Sequence, residues 1–313
     1  MQVITDASTE PFPNDRTVLT IGAYDGLHVG HQAVIAQVRA LASQRDARSA
    51  VVTFDRHPAT IVRPESAPKL LTDHDQRLEL LEATGIDAAV VLPFDADQAA
   101  ESPLAFVERV LVHCLHAEVV VVGNDFHFGR NREGNVDLLR EIGETYRFDV
   151  EPIVLVERGD DVAEPVSSTA IRRALAGGNV TLATVMLGRP FEARGVVVQG
   201  DQRGRLLGFP TANVQVSGRI CLPADGVYAG WYERPDGMRY ASAINLGRRP
   251  TFYEHADSSL LEAHLIDFEG ELYGEIAQVQ FVGFLRSERK FDGIDALIAQ
   301  LKQDVDHARQ LLT

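Results

Sequence analysis

The chain has 313 residues, enough for two domains that each bury a core. Hydrophobic residues make up 45% and charged residues 24%, which fits a globular protein and excludes a disordered or membrane-embedded one. Against 30 Lys and Arg stand 45 Asp and Glu, a formal charge of -15 that argues against a nucleic-acid partner but leaves room for a local phosphate site.

The first 16 residues include Asp6, Glu10 and Asp15 and no long apolar core, unlike a secretory leader. No stretch reaches 18 consecutive apolar residues, so the expectation is a cytoplasmic protein without a membrane partner. Cys114 and Cys221 lie far apart among apolar neighbours and read as buried free thiols. His113, Cys114 and His116 are close in sequence, but they share one helical segment without a fourth ligand, so a zinc site is not expected.

Up to about residue 180, strand-like and helix-like segments alternate. Val-rich strands are expected at 18–22, 50–54, 88–92, 119–123 and 150–156, each continuously apolar as in parallel strands covered on both faces. Between them, Val34, Ile35, Val38 and Leu41 form one helical stripe, and Phe106, Val107, Val110 and Leu111 form another. A third helix is expected over 73–84, closed by Gly85. This alternation predicts an open α/β sheet of Rossmann-like type.

The first strand runs into Gly22, then Tyr24 and Asp25-Gly26-Leu27-His28-Val29-Gly30-His31. A turn from a strand's carboxyl end into a helix N-terminus is where such folds bind phosphate. His28 and His31 flank a glycine that lets backbone approach a triphosphate, and two imidazoles there can stabilise charge developing on phosphate oxygens. Ser167-Ser168-Thr169 followed by Arg172 offers more hydroxyls than a helix cap needs, with a guanidinium one turn on. The loop Gly123-Asn124-Asp125-Phe126-His127-Phe128-Gly129-Arg130 follows another strand and is suited to a base, a ribose or an aromatic ring system.

After about residue 187 short strands are punctuated by Gly, Pro and Asp, which predicts an antiparallel β-barrel. A final helix is expected from about 294 to 312, with Ile294, Leu297, Ile298, Leu301 and Val305 on its buried face. Within this half, a glycine-rich stretch containing Gly204, Arg205 and Gly208 leads into Phe209-Pro210-Thr211-Ala212-Asn213. It lacks the Gly-Lys-Ser/Thr end of a Walker A loop. If 211–213 is extended, Thr211 and Asn213 point to one side as oxygen ligands suited to Mg²⁺. In Leu260-Leu261-Glu262-Ala263-His264-Leu265, alternation puts Glu262 and His264 on one face; Glu262 is either a base for an attacking hydroxyl or a solvent-facing carboxylate.

These motifs together resemble the HxGH nucleotidyltransferase superfamily and, more narrowly, the prokaryotic bifunctional riboflavin kinase/FMN adenylyltransferase (FAD synthetase) family. The resemblance spans almost the whole chain. It also rests on Thr53-Phe54-Asp55-Arg56-His57-Pro58, Pro223-Ala224-Asp225-Gly226-Val227-Tyr228, Asn245-Leu246-Gly247, Pro250-Thr251-Phe252 and Leu272-Tyr273-Gly274. It implies an adenylyltransferase domain over 1–186 and a riboflavin kinase domain over 187–313, with riboflavin, FMN and ATP as substrates and flavins as products. In the first, Gly22, Tyr24, His28, His31, Ser168, Thr169 and Arg172 would bind ATP, and Asp125, Phe126 and Phe54 would bind flavin or nucleotide. In the second, Gly204, Arg205, Gly208, Pro210, Thr211 and Asn213 would bind ATP with Mg²⁺ on Thr211 and Asn213. Glu262 would activate the ribityl hydroxyl, and Arg286 would lie near the flavin. Tyr24, Arg56 and Arg248 depart from residues more usual in the family (Phe, Pro and Thr). A homo-oligomer is compatible with this reading. The rivals are another HxGH adenylyltransferase, which would lack the barrel, and a flavin carrier, which would need no metal–phosphate centre.

Overall fold

The computed structural model describes residues 1–153, 165–200, 203–247 and 260–313, and the chain separates into two compact units, 1–166 and 167–313. The first is built on strands β1 (Gln2–Ile4), β2 (Thr17–Ile21), β3 (Arg48–Phe54), β4 (Ala88–Leu92), β5 (Ala117–Val122) and β6 (Asp149–Pro152). They lie in the order β1-β4-β3-β2-β5-β6, and every neighbouring pair is parallel. The chain works outward from β2 through β3 to β4 and then returns to the other side of β2 with β5. That reversal makes the carboxyl ends of β2 and β5 the switch point at which α/β sheets bind ligands.

Alternate strand residues feed two cores. Val18, Val51, Ala89, Val119 and Val121 face α1 (Val29–Gln44) and α2 (His74–Ala83), meeting Val34, Ile35, Val38 and Leu81. Leu19, Val52, Val90 and Val120 face the opposite layer, where Val107, Val110, Leu111 and Cys114 meet Leu139 and Ile142 of α3 (Val136–Tyr146). Both faces are dry, which is why the strands read as unbroken apolar runs. The expected stripe of Phe106, Val107, Val110 and Leu111 is buried, and Val107–Cys114 winds as a π-helix. In α1, Ala42 is buried where Leu41 was expected, and Leu41 packs at the margin. The expected strand at 150–156 ends at Pro152, with 154–156 outside the described residues.

The second unit closes six strands into an antiparallel barrel: β7 (Phe191–Val198), β8 (Ala212–Val216), β9 (Gly226–Glu233), β10 (Arg239–Gly247), β11 (Leu260–Leu265) and β12 (Ile276–Arg286). The order around it is β8-β11-β10-β9-β12-β7. Ahead of it, α4 (Ser168–Ala176) and α5 (Val180–Leu187) belong to the same unit, with α5 packed on β7 and β12. The compact unit therefore begins 20 residues before the sequence-based boundary of 186/187.

Helix α6 (Ile294–Leu312) has the expected bounds and packs on β9, β10 and β12. Of the expected stripe, Leu297, Ile298, Leu301 and Val305 are half-buried and Ile294 is 61% exposed, while the fully buried positions are Ala308 and the carboxylate of Asp304. The reason is an ion pair with Arg286 at the end of β12, described below. Cys114 is in the core, and burial pushes its thiol up to about 11, whereas Cys221 is half-buried rather than enclosed.

Candidate active sites

In the first unit the turn after β2 is strained and heavily tied down. Tyr24, Gly26 and Leu27 all have positive φ (51°, 82° and 36°), a sequence of conformations that bulky residues avoid. Its neighbours impose it. Buried Asp25 accepts hydrogen bonds through Oδ1 from the amides of Leu71 (2.8 Å) and Thr72 (3.2 Å), and Gly26 N–H donates to Thr72 Oγ1 (3.1 Å). Arg77, buried on α2, donates from Nη1 to Ala23 O (3.2 Å) and from Nη2 to Phe54 O, fastening the ends of β2 and β3 together. The Tyr24 hydroxyl donates to Thr20 Oγ1 (2.8 Å), a bond that the more usual Phe could not make. Burial raises the Tyr24 pKa, so the phenol stays protonated.

The turn delivers His28 to the N-cap of α1, where its Nδ1 accepts from His31 N–H (3.3 Å). A neutral His28 then carries its proton on Nε2. The two imidazoles stack with centroids 3.6 Å apart and planes 19° apart, and Tyr24 lies 4.9 Å from His31. Burial, reinforced by His28, holds His31 well below the usual imidazole range, so it is neutral near pH 7. His31 Nδ1 is buried without a hydrogen-bond partner; an orphan acceptor costs less than an orphan N–H, which assigns the proton to Nε2 here too. Both rings therefore present Nε2–H donors at the amino end of a 16-residue helix.

The other expected residues of this unit lie at the carboxyl ends of neighbouring strands. Gly22 follows β2, Phe54 ends β3, and Asp125 and Phe126 follow β5, so the order β3-β2-β5 puts all of them on one sheet edge. Phe54 meets Phe94 edge-on at 5.1 Å, and Phe126 stacks on Phe128 at 5.4 Å and 14°. Asp125 is exposed at the loop tip. Arg56 points outward and pairs with Asp55 (2.9 Å), whose carboxylate also caps Phe94 N–H, so this departure from the family pattern leaves the turn closed. Ser168, Thr169 and Arg172 stand on α4 in the second unit. The cap of α4 is Ser167, accepting from Ala170 N–H (3.2 Å), which leaves the Ser168 and Thr169 hydroxyls outside the capping role.

In the barrel, alternation along β11 is as expected: Leu261, Ala263 and Leu265 are buried, while Glu262 and His264 share the other, partly open face. The register places Glu262 opposite Asn213 of β8 on one side and opposite Asn245 of β10 on the other. Asn213 is buried and its Oδ1 has no hydrogen-bond partner. Its amide lies against Gly200, where a Cβ would come within 2.4 Å of Asn213 Nδ2. Gly204 is equally constrained, a Cβ there falling 2.3 Å from Phe209 O, and Gly208 has a φ of +83°. Arg205 is exposed, Pro210 precedes the ladder, and Thr211 stands one residue before β8. Arg248 and the 250–252 motif lie outside the described residues.

Arg286 is already engaged. Its Nε and Nη2 grip Asp304 of α6 at 2.9 and 2.7 Å, Nη1 donates to Ser287 O at 3.0 Å, and the guanidinium lies 5.8 Å from the Phe291 ring centroid. Asp304, Arg77 and Thr72 are not singled out by the sequence. For Arg77 a signal existed, since it sits four residues before buried Leu81 on the core face of α2. Asn245, part of the Asn245-Leu246-Gly247 motif, gains its place beside Glu262 only through register.

Comparison with known proteins finds a different family model along each half of the chain. A family model described as FAD synthetase matches residues 11–170, and one described as riboflavin kinase matches 187–312. The bifunctional riboflavin kinase/FMN adenylyltransferase of Listeria monocytogenes is 36% identical over 303 residues, covering 96% of this chain and 94% of the relative. Those of Escherichia coli K12 and Pseudomonas fluorescens are 36% and 39% identical, covering 95% and 94% of this chain and 93% and 92% of theirs. A crystal structure from Streptococcus pneumoniae, named there as a macrolide-efflux protein, has a TM-score of 0.86 at 29% identity and covers 98% of both chains. That name describes the other protein; among the described residues here no helix is long and apolar enough to cross a membrane. The chain belongs to the bifunctional riboflavin kinase/FMN adenylyltransferase family, whose enzymes phosphorylate riboflavin to FMN and adenylylate FMN to FAD.

Proposed function

We propose that the two steps divide between the two clusters of residues described above. In the barrel, Thr211 and Asn213 hold Mg²⁺-ATP, with Gly204, Arg205, Gly208 and Pro210 framing the phosphates and Glu262 accepting the proton of the ribityl 5′-hydroxyl. The observation that carries this reading is the pairing of Glu262 with Asn213, whose buried Oδ1 lacks a partner. A hydroxyl, an amide oxygen and a nearby carboxylate form a hard-oxygen donor set, which fits Mg²⁺. When bound, Mg²⁺ would neutralise charge on the transferred phosphoryl group. Arg286 contributes to the flavin side by fixing the segment after β12 through Asp304.

In the other half, the FMN phosphate attacks the α-phosphorus of a second ATP and pyrophosphate leaves. The nucleophile is already an anion, so donors matter more than a base. His28 and His31 supply Nε2–H groups, and Gly22 and Tyr24 shape the turn beneath the triphosphate. Asp125, Phe126 and Phe54 serve the flavin. We take the enzyme to be cytoplasmic, in keeping with a Cys114 thiol buried in the core outside any disulfide.

The test is product analysis by chromatography with riboflavin, Mg²⁺ and ATP. Glu262→Ala is expected to abolish FMN formation yet convert supplied FMN to FAD, and His28→Ala to accumulate FMN. Loss of both steps in either folded variant contradicts the division.

A further inference from the structure

We propose that His264 is a positioning residue that holds the nucleotide-binding segment of the kinase half onto β11, an inference that rests on Thr211 and Asn213 being the Mg²⁺-ATP donors. The backbone ladder between β8 and β11 begins at Ala212, opposite Ala263. Upstream of it stands Pro210, which has no N–H to extend the ladder. A side chain takes over: His264 Nδ1 lies 2.8 Å from Pro210 O. A carbonyl can only accept, so Nδ1 carries the proton. The imidazole also meets the Phe209 ring edge-on at 5.4 Å. Phe209 N–H in turn donates to Gly204 O (2.8 Å), and a Cβ built on Gly204 would lie 3.6 Å from Thr211 Oγ1. The loop at 204–209 is thus folded on itself, and its end is clamped by one imidazole immediately before Thr211. His264 shares the open face of β11 with Glu262, two residues away. One strand therefore carries both the proposed base and the strut that sets the nucleotide donors opposite it.

Three variants test this, because the position of the donor atom is what matters. Asn places its amide nitrogen where Nδ1 stands, whereas Gln places it one bond farther out. His264→Ala is expected to raise the KM for Mg²⁺-ATP in riboflavin phosphorylation about tenfold, as the upper end for one lost, solvent-accessible hydrogen bond. The KM for riboflavin and the conversion of supplied FMN to FAD should not change. Calorimetric titration with Mg²⁺-ADP should show a matching loss of affinity. His264→Asn should stay within about twofold of the parent, and His264→Gln should resemble Ala. An unchanged nucleotide KM and ADP affinity in His264→Ala, or a riboflavin KM rising in parallel, overturns the proposal. If the Ala variant does not fold, the Asn and Gln pair decides, and Asn performing no better than Gln overturns it. Thr211→Val runs alongside. Should it also leave Mg²⁺-ATP untouched, the nucleotide assignment itself has failed and the strut fails with it. Should Thr211→Val weaken nucleotide while His264→Ala does not, the strut alone is refuted.

Discussion

Gly30 illustrates how a residue can be fixed by its neighbour rather than by its own backbone. A Cβ there would sit 3.1 Å from His28 Nδ1 and 3.2 Å from Cε1, so a methyl group requires the imidazole at the head of α1 to give by a few tenths of an ångström. Gly30→Ala should therefore cut FMN adenylylation roughly tenfold or more through misplacement, and leave riboflavin phosphorylation intact as an internal control. His31 makes a separate prediction. Its ring is held neutral in the folded protein, while an unfolded chain takes up a proton near pH 6.5. Below that value the unfolded state binds the extra proton, so stability falls as pH drops from about 7 toward 5. Thermal unfolding between pH 8 and 5 should show this slope, and His31→Gln should flatten it. The sequence motif named both histidines, because His-x-Gly-His after a strand is a local pattern. It could not reveal the stacking or the buried Nδ1, which depend on Asp25, Thr72 and Arg77 forcing the turn into positive φ.

Among the elements, the meeting of β12 and α6 departs furthest from what periodicity implies. The bounds of α6 were legible, since apolar residues recur at three and four and the segment is long. Its packed face was legible in part: Leu297, Ile298, Leu301 and Val305 are half-buried as expected, but hydrophobicity ranks Val305 above Asp304, whose side chain is only 5% exposed, beside Arg286 at 19%. An ion pair satisfied on both oxygens, with Gln300 Nε2 adding a third donor at 2.7 Å, can bury a carboxylate that pattern reading assigns to solvent. Glu262 is the converse case, since strand alternation placed it correctly from sequence, while only register could set Asn213 and Asn245 on either side. Removing one member of a buried pair strands the other. Asp304→Ala should thus destabilise the barrel unit by about 3 kcal/mol in urea titration. The double variant Arg286→Met with Asp304→Leu should recover most of that loss, since an apolar pair of similar volume carries no desolvation cost.

At the scale of the molecule, the position of the division matters more than its existence. A parallel α/β sheet and a closed antiparallel barrel have incompatible strand patterns, so a change of fold near residue 187 was visible in composition alone. The sequence could not show to which unit the preceding helices belong, since an amphipathic helix packs equally well on either kind of sheet. Val180, Ala183, Met186 and Leu187 are buried, α5 packs on β7 and β12, and Ala224 N–H donates to Leu175 O at 2.9 Å. The barrel is thus covered by residues that a cut at 187 would remove. A fragment spanning 167–313 should fold and phosphorylate riboflavin. One spanning 188–313 loses the eight buried apolar side chains of α4 and α5 and should melt at least roughly 10 °C lower. Calorimetry of the two fragments decides the point: equal melting temperatures would mean that α4 and α5 lend the barrel no stability.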